Sequence, residues 1–241
     1  FEDLKGVLPN SRTKLYIEIV LFVLRRYENK NGLSVSDKDL LFVYEKELMI
    51  LGRMALDSLQ KGELYFERSK GDLKESWLGK FGFVSIQIGG TKIAPCHRYV
   101  FFHKSFQEFF SAFFLAFSII DGAMDCKSVA NEEDETKLSQ VFTFMGGIVA
   151  MRSEAAALSI VKSIVSVVNA SGHIARVFKT NLILALLFIN ECKLFSETLY
   201  TELAHLFGKN LSLVNMKFKL PSNSGKGSFR TLFLALRVNA S

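Results

Sequence analysis

The spacing of apolar positions changes several times along the chain, and each change marks an element. Tyr99 to Phe102 are all aromatic or β-branched, which predicts a short buried strand. Directly after it, Phe106, Phe109, Phe110, Phe113, Phe114 and Phe117 fall at helical spacing and form one stripe. The plain meaning of such a stripe is core packing. Ser105 and Glu108 stand at capping-box spacing, which predicts that the helix begins at Ser105 and leaves His103 just outside it.

Upstream, Pro9, Asn10 and Ser11 mark a turn. The helix that follows is predicted to bury Leu15, Tyr16, Ile19, Phe22, Val23 and Tyr27, with Arg25 and Arg26 in its last turn and Asn31-Gly32 ending it. Ser36 or Asp37 is predicted to cap a second helix whose inner face carries Leu40, Leu41, Tyr44, Leu48, Leu51, Met54, Ala55 and Leu59. Gly52 lies on that face and permits a close approach, and Gly62 closes the helix. Glu63 to Glu67 reads as a short strand around Leu64 and Phe66. Asp72 to Lys80 reads as a third, shorter helix, and Phe83 to Ile88 as a strand. Gly89-Gly90 then suits a tight hairpin, with Pro95 in the connection to the strand at Tyr99. Helix, helix, strand, helix and a two-stranded wing is the order of a winged helix.

Downstream, Asp121 to Glu135 is poor in apolar residues and rich in acid, as a linker or mobile loop would be. Only helical patterns follow: Leu138 to Val149, Ser153 or Glu154 to Val168, His173 to Asn190, and Leu194 to Phe207. Short connections between four helices predict antiparallel packing in a small bundle or solenoid-like array. The predicted fold is therefore mainly α. A winged helix of three helices and a small β wing occupies 1–118, an all-helical domain 119–208, and a basic tail 209–241.

Composition narrows the function classes. With 241 residues and 49% of them apolar, the chain can bury a sizeable core and is not disordered. The formal charge of +6 invites a nucleic-acid reading. Its distribution argues against one: Lys209, Lys217, Lys219, Lys226, Arg230 and Arg237 supply the whole excess, and 1–208 balances to zero. Cys96, Cys126 and Cys192 are far apart and form no Cys-x-x-Cys, so reduced thiols of a cytosolic protein are the simplest account. No apolar run reaches the roughly 18 residues of a membrane span. The chain begins with Phe1, as a fragment or a processed piece would.

The motifs of catalysis are missing. No Gly-x-x-x-x-Gly-Lys-[Ser/Thr] occurs, and Ser224-Gly225-Lys226-Gly227-Ser228 has the letters without the spacing. His97, His103, His173 and His205 lack partners at metal-ligand spacing, so no metal is expected. The acidic run from Glu132 to Glu135 reads as a solvated loop. The one residue with a candidate role is His103, because N–H groups at a helix start favour anions and an imidazole there can donate to a phosphate oxygen. It can equally cap a loop or point at water.

The stretch Phe-Phe-His-Lys-Ser-Phe-Gln-Glu-Phe-Phe-Ser-Ala-Phe-Phe-Leu-Ala (101–116) resembles the end of the winged-helix domain of NACHT-type NOD-like receptors, which belong to the STAND NTPases. The pattern there is an apolar pair, His, two variable residues, Phe-Gln-Glu-Phe, then small residues and Leu, matched here by His103, Phe106, Gln107, Glu108, Phe109, Ala112 and Leu115. Leu8-Pro9 with Leu15-Tyr16, and Leu51-Gly52 with Ala55-Leu56, are similar to other points of that domain. The likeness is close over about 7–118 and loose over 119–208, where the family has its second helical domain. It implies that His103 contacts the β-phosphate of ADP held by an upstream NACHT nucleotide-binding domain, keeping a cytoplasmic innate immune receptor closed until exchange for ATP lets it form homo-oligomers. It implies leucine-rich repeats downstream, with the basic tail 209–241 as the start of one, and no enzyme on this chain alone, ATP being bound and slowly hydrolysed through the upstream P-loop domain. Most phosphate ligands being absent, this chain is not expected to hold ADP tightly. Two other classes fit the pattern alone. One is a DNA-binding winged helix, although its candidate recognition helix sets Lys74 and Lys80 against Asp72 and Glu75. The other is a helical interaction scaffold without a switch.

Overall fold

The computed structural model describes residues 9–33, 39–67, 77–90, 95–125, 135–170 and 175–211. The described chain is mainly helical with a small three-stranded antiparallel sheet, and it divides into two compact units, 1–114 and 115–241. The Gly/Ser loop at 224–228, the basic tail beyond Leu211 and the acidic run up to Asp134 lie outside the described residues.

The first unit opens with α1 (Arg12–Lys30). Ser11 caps it, its side chain accepting from the Lys14 N–H, and Asn31 with Gly32 at φ +64° ends it. The buried line is Thr13, Ile17, Val20, Leu24 and Glu28, not the predicted face from Leu15 to Tyr27. Phe22 is exposed, and Tyr16 and Tyr27 flank the line. Nearly every position from Leu15 to Leu24 is apolar, so spacing alone cannot choose a side of this helix; contacts with the rest of the unit do.

The predicted second helix is broken in two, α2 (Leu40–Val43) and α3 (Glu45–Lys61). Its cap is Asp39, whose carboxylate accepts from Leu41 N–H at 3.1 Å; Ser36 and Asp37 lie outside the described residues. Backbone hydrogen bonds continue across the break, Tyr44 N–H to Leu40 O at 3.0 Å and Leu48 N–H to Tyr44 O at 2.9 Å, while Tyr44 itself leaves helical geometry at φ −103°, ψ 18°. Its ring meets Tyr27 and Phe81 edge-on, and its hydroxyl donates to Glu28 Oε1 at 3.3 Å. A side chain held by three partners outside its own helix accounts for the kink. Glu28 is a buried carboxylate whose other oxygen has no hydrogen-bond partner among the described residues.

Burial first, and the Glu28 carboxylate second, push the Tyr44 phenol up to about 12. A phenol that holds its proton more tightly when folded gives its full contribution below its ordinary pKa of about 10, and that contribution drains away as pH rises through about 12. The expected result is that the wild-type chain loses stability against Tyr44→Phe between about pH 10 and about pH 12, read as the difference in urea midpoints. Parallel curves over that window would contradict it.

Gly62 at φ +74° terminates α3, as its position predicts. After it come β1 (Tyr65–Glu67), α4 (Trp77–Phe81), β2 (Val84–Gly90) and β3 (Pro95–Phe101). β3 is central, with β1 and β2 antiparallel on either side. The strand expected at 63–67 thus joins the two later strands in one three-stranded sheet. Gly89 and Gly90 are not the hairpin turn; they pair with Cys96 and Pro95 inside the ladder, and the connection is 91–94. Pro95 takes the first position of β3, where a missing N–H is tolerated. Phe102, predicted as the last residue of that strand, lies beyond it and is 63% exposed.

α5 (Lys104–Ile120) carries the phenylalanine stripe, and the division between the two units falls within it. Phe109, Phe110, Phe113 and Phe117 are buried as predicted, while Phe106 and Phe114 are half-buried. Phe110 stands 4.8 Å from Phe83, T-shaped, and Tyr16 of α1 touches both Phe106 and Phe109.

The second unit contains the rest of α5 and α6 (Glu135–Arg152), α7 (Glu154–Ala170), α8 (Ala175–Cys192) and α9 (Glu197–Asn210). Four helical patterns were expected here, and these four are present among the described residues. Ser153 caps α7 by accepting from Ala156 N–H at 3.1 Å, and Ser196 caps α9 by accepting from Leu199 N–H. α6 and α8 meet at Gly146, where a Cβ would lie 2.5 Å from the Phe188 carbonyl oxygen. Cys192 is buried in the same place, its Sγ 3.4 Å from Gly146 O, and burial pushes its thiol well above the ordinary range.

Candidate functional site

The site begins where the sheet ends. Phe101 N–H donates to Leu64 O at 3.1 Å, which joins the end of β3 to the chain entering β1. Two residues then turn outward, the exposed Phe102 and the exposed His103, before α5 starts.

His103 itself starts the helix. Its Nδ1 accepts from Ser105 N–H at 3.1 Å, and its carbonyl accepts from Phe106 N–H at 3.0 Å. Both donors belong to the first turn, whose N–H groups have no partner within the helix. The expected capping box between Ser105 and Glu108 is therefore replaced. The helix begins at Lys104, Ser105 lies inside the first turn, and the N–H that a boxed serine would have given to its glutamate goes to the imidazole. The ring's other nitrogen, Nε2, takes no part in this bond.

The next two residues hold α5 in place. Gln107 is buried, and its Nε2 donates to Ser58 Oγ at 2.8 Å and to Glu63 O at 2.6 Å, which ties the first turns of α5 to the end of α3. Ser58 Oγ in turn donates to Ala55 O at 3.0 Å. Glu108 is buried beside Lys104, the two side chains 3.5 Å apart. Burial pushes the Glu108 carboxyl up, and Lys104 first, then Arg12 and His103, act in the opposite direction. A carboxylate in the first turn also suits the helix dipole, so Glu108 balances cationic groups gathered at the start of α5.

This arrangement presents one exposed imidazole edge at a helix N-terminus, supported by a buried glutamine and a neutralising glutamate. Chemically it can offer a hydrogen bond to an anionic oxygen. It supplies no nucleophile–base pair, and no group of three His, Cys, Asp or Glu able to hold a metal occurs among the described residues. His205 stands exposed on α9, the His97 side chain and His173 lie outside the described residues, and so does most of the 72–80 segment weighed as a DNA-reading helix. Sequence reasoning placed His103 at the mouth of the helix. It missed the tether made by Gln107, for which the only signal was a polar residue on the inner side of an apolar stripe, and it missed the charge of Arg12.

No protein-family model matches the chain, and no curated protein matches it. Among the described residues no helix is long and apolar enough to cross a membrane.

Proposed function

We propose that this chain is the regulatory module, a winged helix followed by a second helical domain, of a cytoplasmic NACHT-type NOD-like innate immune receptor. Its ligand is a nucleotide held mainly by an upstream NACHT domain, ADP in the resting state and ATP in the active one. Leucine-rich repeats follow it, and activation brings copies together as a homo-oligomer. The observation that carries this reading is His103. The residue that the resemblance makes the phosphate contact stands exposed at the start of α5, with one ring nitrogen spent on the cap and the other outside that bond. The order of helices and strands in the first unit, with β3 central to the sheet, suits a winged helix whose wing has recruited β1.

In this reading the chain's own residues do three things. His103 donates to a phosphate oxygen of the bound nucleotide. Gln107 fixes the turn from which it projects, and Glu108 keeps the neighbouring cations from repelling the helix start. One charge-assisted hydrogen bond contributes about 1–3 kcal/mol to the closed state. That tilts a two-state equilibrium by roughly one or two decades and leaves it reversible. His103→Leu in the protein that includes the upstream domain is expected to raise spontaneous oligomerisation, measured by light scattering without activating ligand. Unchanged resting behaviour counts against the switch.

A further inference from the structure

We infer that the open edge of β2 pairs with a second copy of this chain, β2 against β2, antiparallel about a twofold axis at Ile86. The contact uses no residue of the proposed nucleotide site, so it stands apart from the reading just given. The sheet order leaves β2 paired on one side only, with β3. Phe101 N–H goes to Leu64 O, on the β1 side of β3. Alternation along β3 then turns Val100 and Arg98 toward β2, where they meet Ser85 and Gln87. The backbone N–H and C=O groups of Val84, Ile86 and Ile88 therefore point to the open edge, and no turn or loop among the described residues bonds to them. Edges are usually blunted by shortness, charge or proline. β1, at the other edge, is three residues long and ends in Glu67. β2 runs seven residues, Val84–Gly90, with no charge and no proline. Its side chains show the missing neighbour. Val84 and Ile86 share one face of the strand, opposite the buried Phe101 and Tyr99, yet Val84 is 2% exposed and Ile86 51%. Gly79 of α4 already stands against Ile86, where a Cβ would lie 3.0 Å from its Cδ1, so the flank left open is the one without a strand.

The strand fits a copy of itself. With Ile86 opposite Ile86 of the second copy, Val84 lies opposite Ile88 on both sides, and each pair can exchange two N–H···O bonds. The exposed isoleucines become cross-strand neighbours, and identical uncharged strands meet without like-charge repulsion. The twofold arrangement closes at two copies. One strand pair covers less than the roughly 1,200 Å² of a stable interface, so the dimer is reversible, with a Kd on the order of 100 µM. Sedimentation of the 241-residue chain from about 1 to about 500 µM is expected to show that monomer–dimer equilibrium. By NMR, amide exchange at Val84 and Ile86 is expected to slow as concentration rises, while Ser85 and Gln87 stay protected throughout. Ile86→Pro removes only an outward N–H and suits an edge strand, so it should abolish the dimer with the urea midpoint near wild type. Ile86→Lys keeps that N–H but sets two charges face to face. It should weaken association roughly tenfold at low salt and regain part of it at high salt. A chain that stays monomeric, grows past the dimer, or dimerises equally well in both variants overturns the inference.

Discussion

Alanine in place of Phe110 is expected to lower the stability of the chain by about 4 kcal/mol. Phe110 is fully buried, and its ring packs against Phe83 at 4.8 Å, Phe109 at 5.6 Å and Phe106 at 6.5 Å. Removing it takes away a large apolar side chain and leaves a cavity walled by aromatic rings, which cannot close up by rotating small groups. The lost edge-to-face contacts add about 0.5–1.5 kcal/mol to the area term. Native domains have only about 5–15 kcal/mol to lose, so the effect should be large in a urea titration. Phe102→Ala is the matched control. That ring is 63% exposed, and its loss should change stability by no more than about 0.5 kcal/mol. Comparable losses at the two positions would mean that the stripe does not face the core as described.

Gly52→Leu is expected to cost at least about 3 kcal/mol, and Gly52→Ala about 2. Here α3 crosses α5 with nothing between the backbones. A Cβ on residue 52 would lie 2.5 Å from the Phe110 carbonyl oxygen and 2.7 Å from Phe114 Cβ. Neither atom is the end of a flexible side chain, so the helices themselves must part. Alanine gains about 1 kcal/mol in helix propensity over glycine, which offsets some of the clash, whereas leucine adds bulk that no rotamer can place. Parting α3 from α5 also strains the Gln107 bonds to Ser58 and Glu63, so the variant should disturb the start of α5. Urea midpoints would measure the first effect and the NMR signal of the His103 ring the second. A Gly52→Ala chain as stable as wild type, with an unshifted His103 ring, would contradict the close crossing.

These two positions were readable in the sequence because each depends on one element's own spacing. The phenylalanines recur at helical intervals, and a glycine on the inner face of an apolar helix marks a close approach. The start of α7 at Ser153 or Glu154 was readable for the same reason. Features set by distant partners were not. Tyr44 breaks its helix because Glu28, sixteen residues earlier, and the rings of Tyr27 and Phe81 hold its side chain. The buried line of α1 could not be chosen, because Ile17, Val20 and Leu24 alternate with equally apolar Leu15, Ile19 and Val23. Gly89-Gly90 has turn chemistry, yet the register with β3 carries both residues into the ladder.

The candidate site divides in the same way. That His103 lies between a strand end and a helix start followed from the change of period. That it caps the helix did not, because the Ser105–Glu108 pair offered a commoner capping signature one step further on. An imidazole reaching Ser105 N–H from the end of β3 is a tertiary arrangement, set by where the sheet delivers the chain. The tether by Gln107 is likewise a contact between α5 and α3 that no local pattern announces.

The proposed grip of His103 on a nucleotide supplied by a neighbouring domain is tested most directly by ADP dissociation. In the protein that carries the upstream nucleotide-binding domain, His103→Leu is expected to speed ADP release by roughly ten- to a hundredfold, the kinetic equivalent of one charge-assisted hydrogen bond. Release at the wild-type rate, from a variant shown to be folded, would contradict the claim.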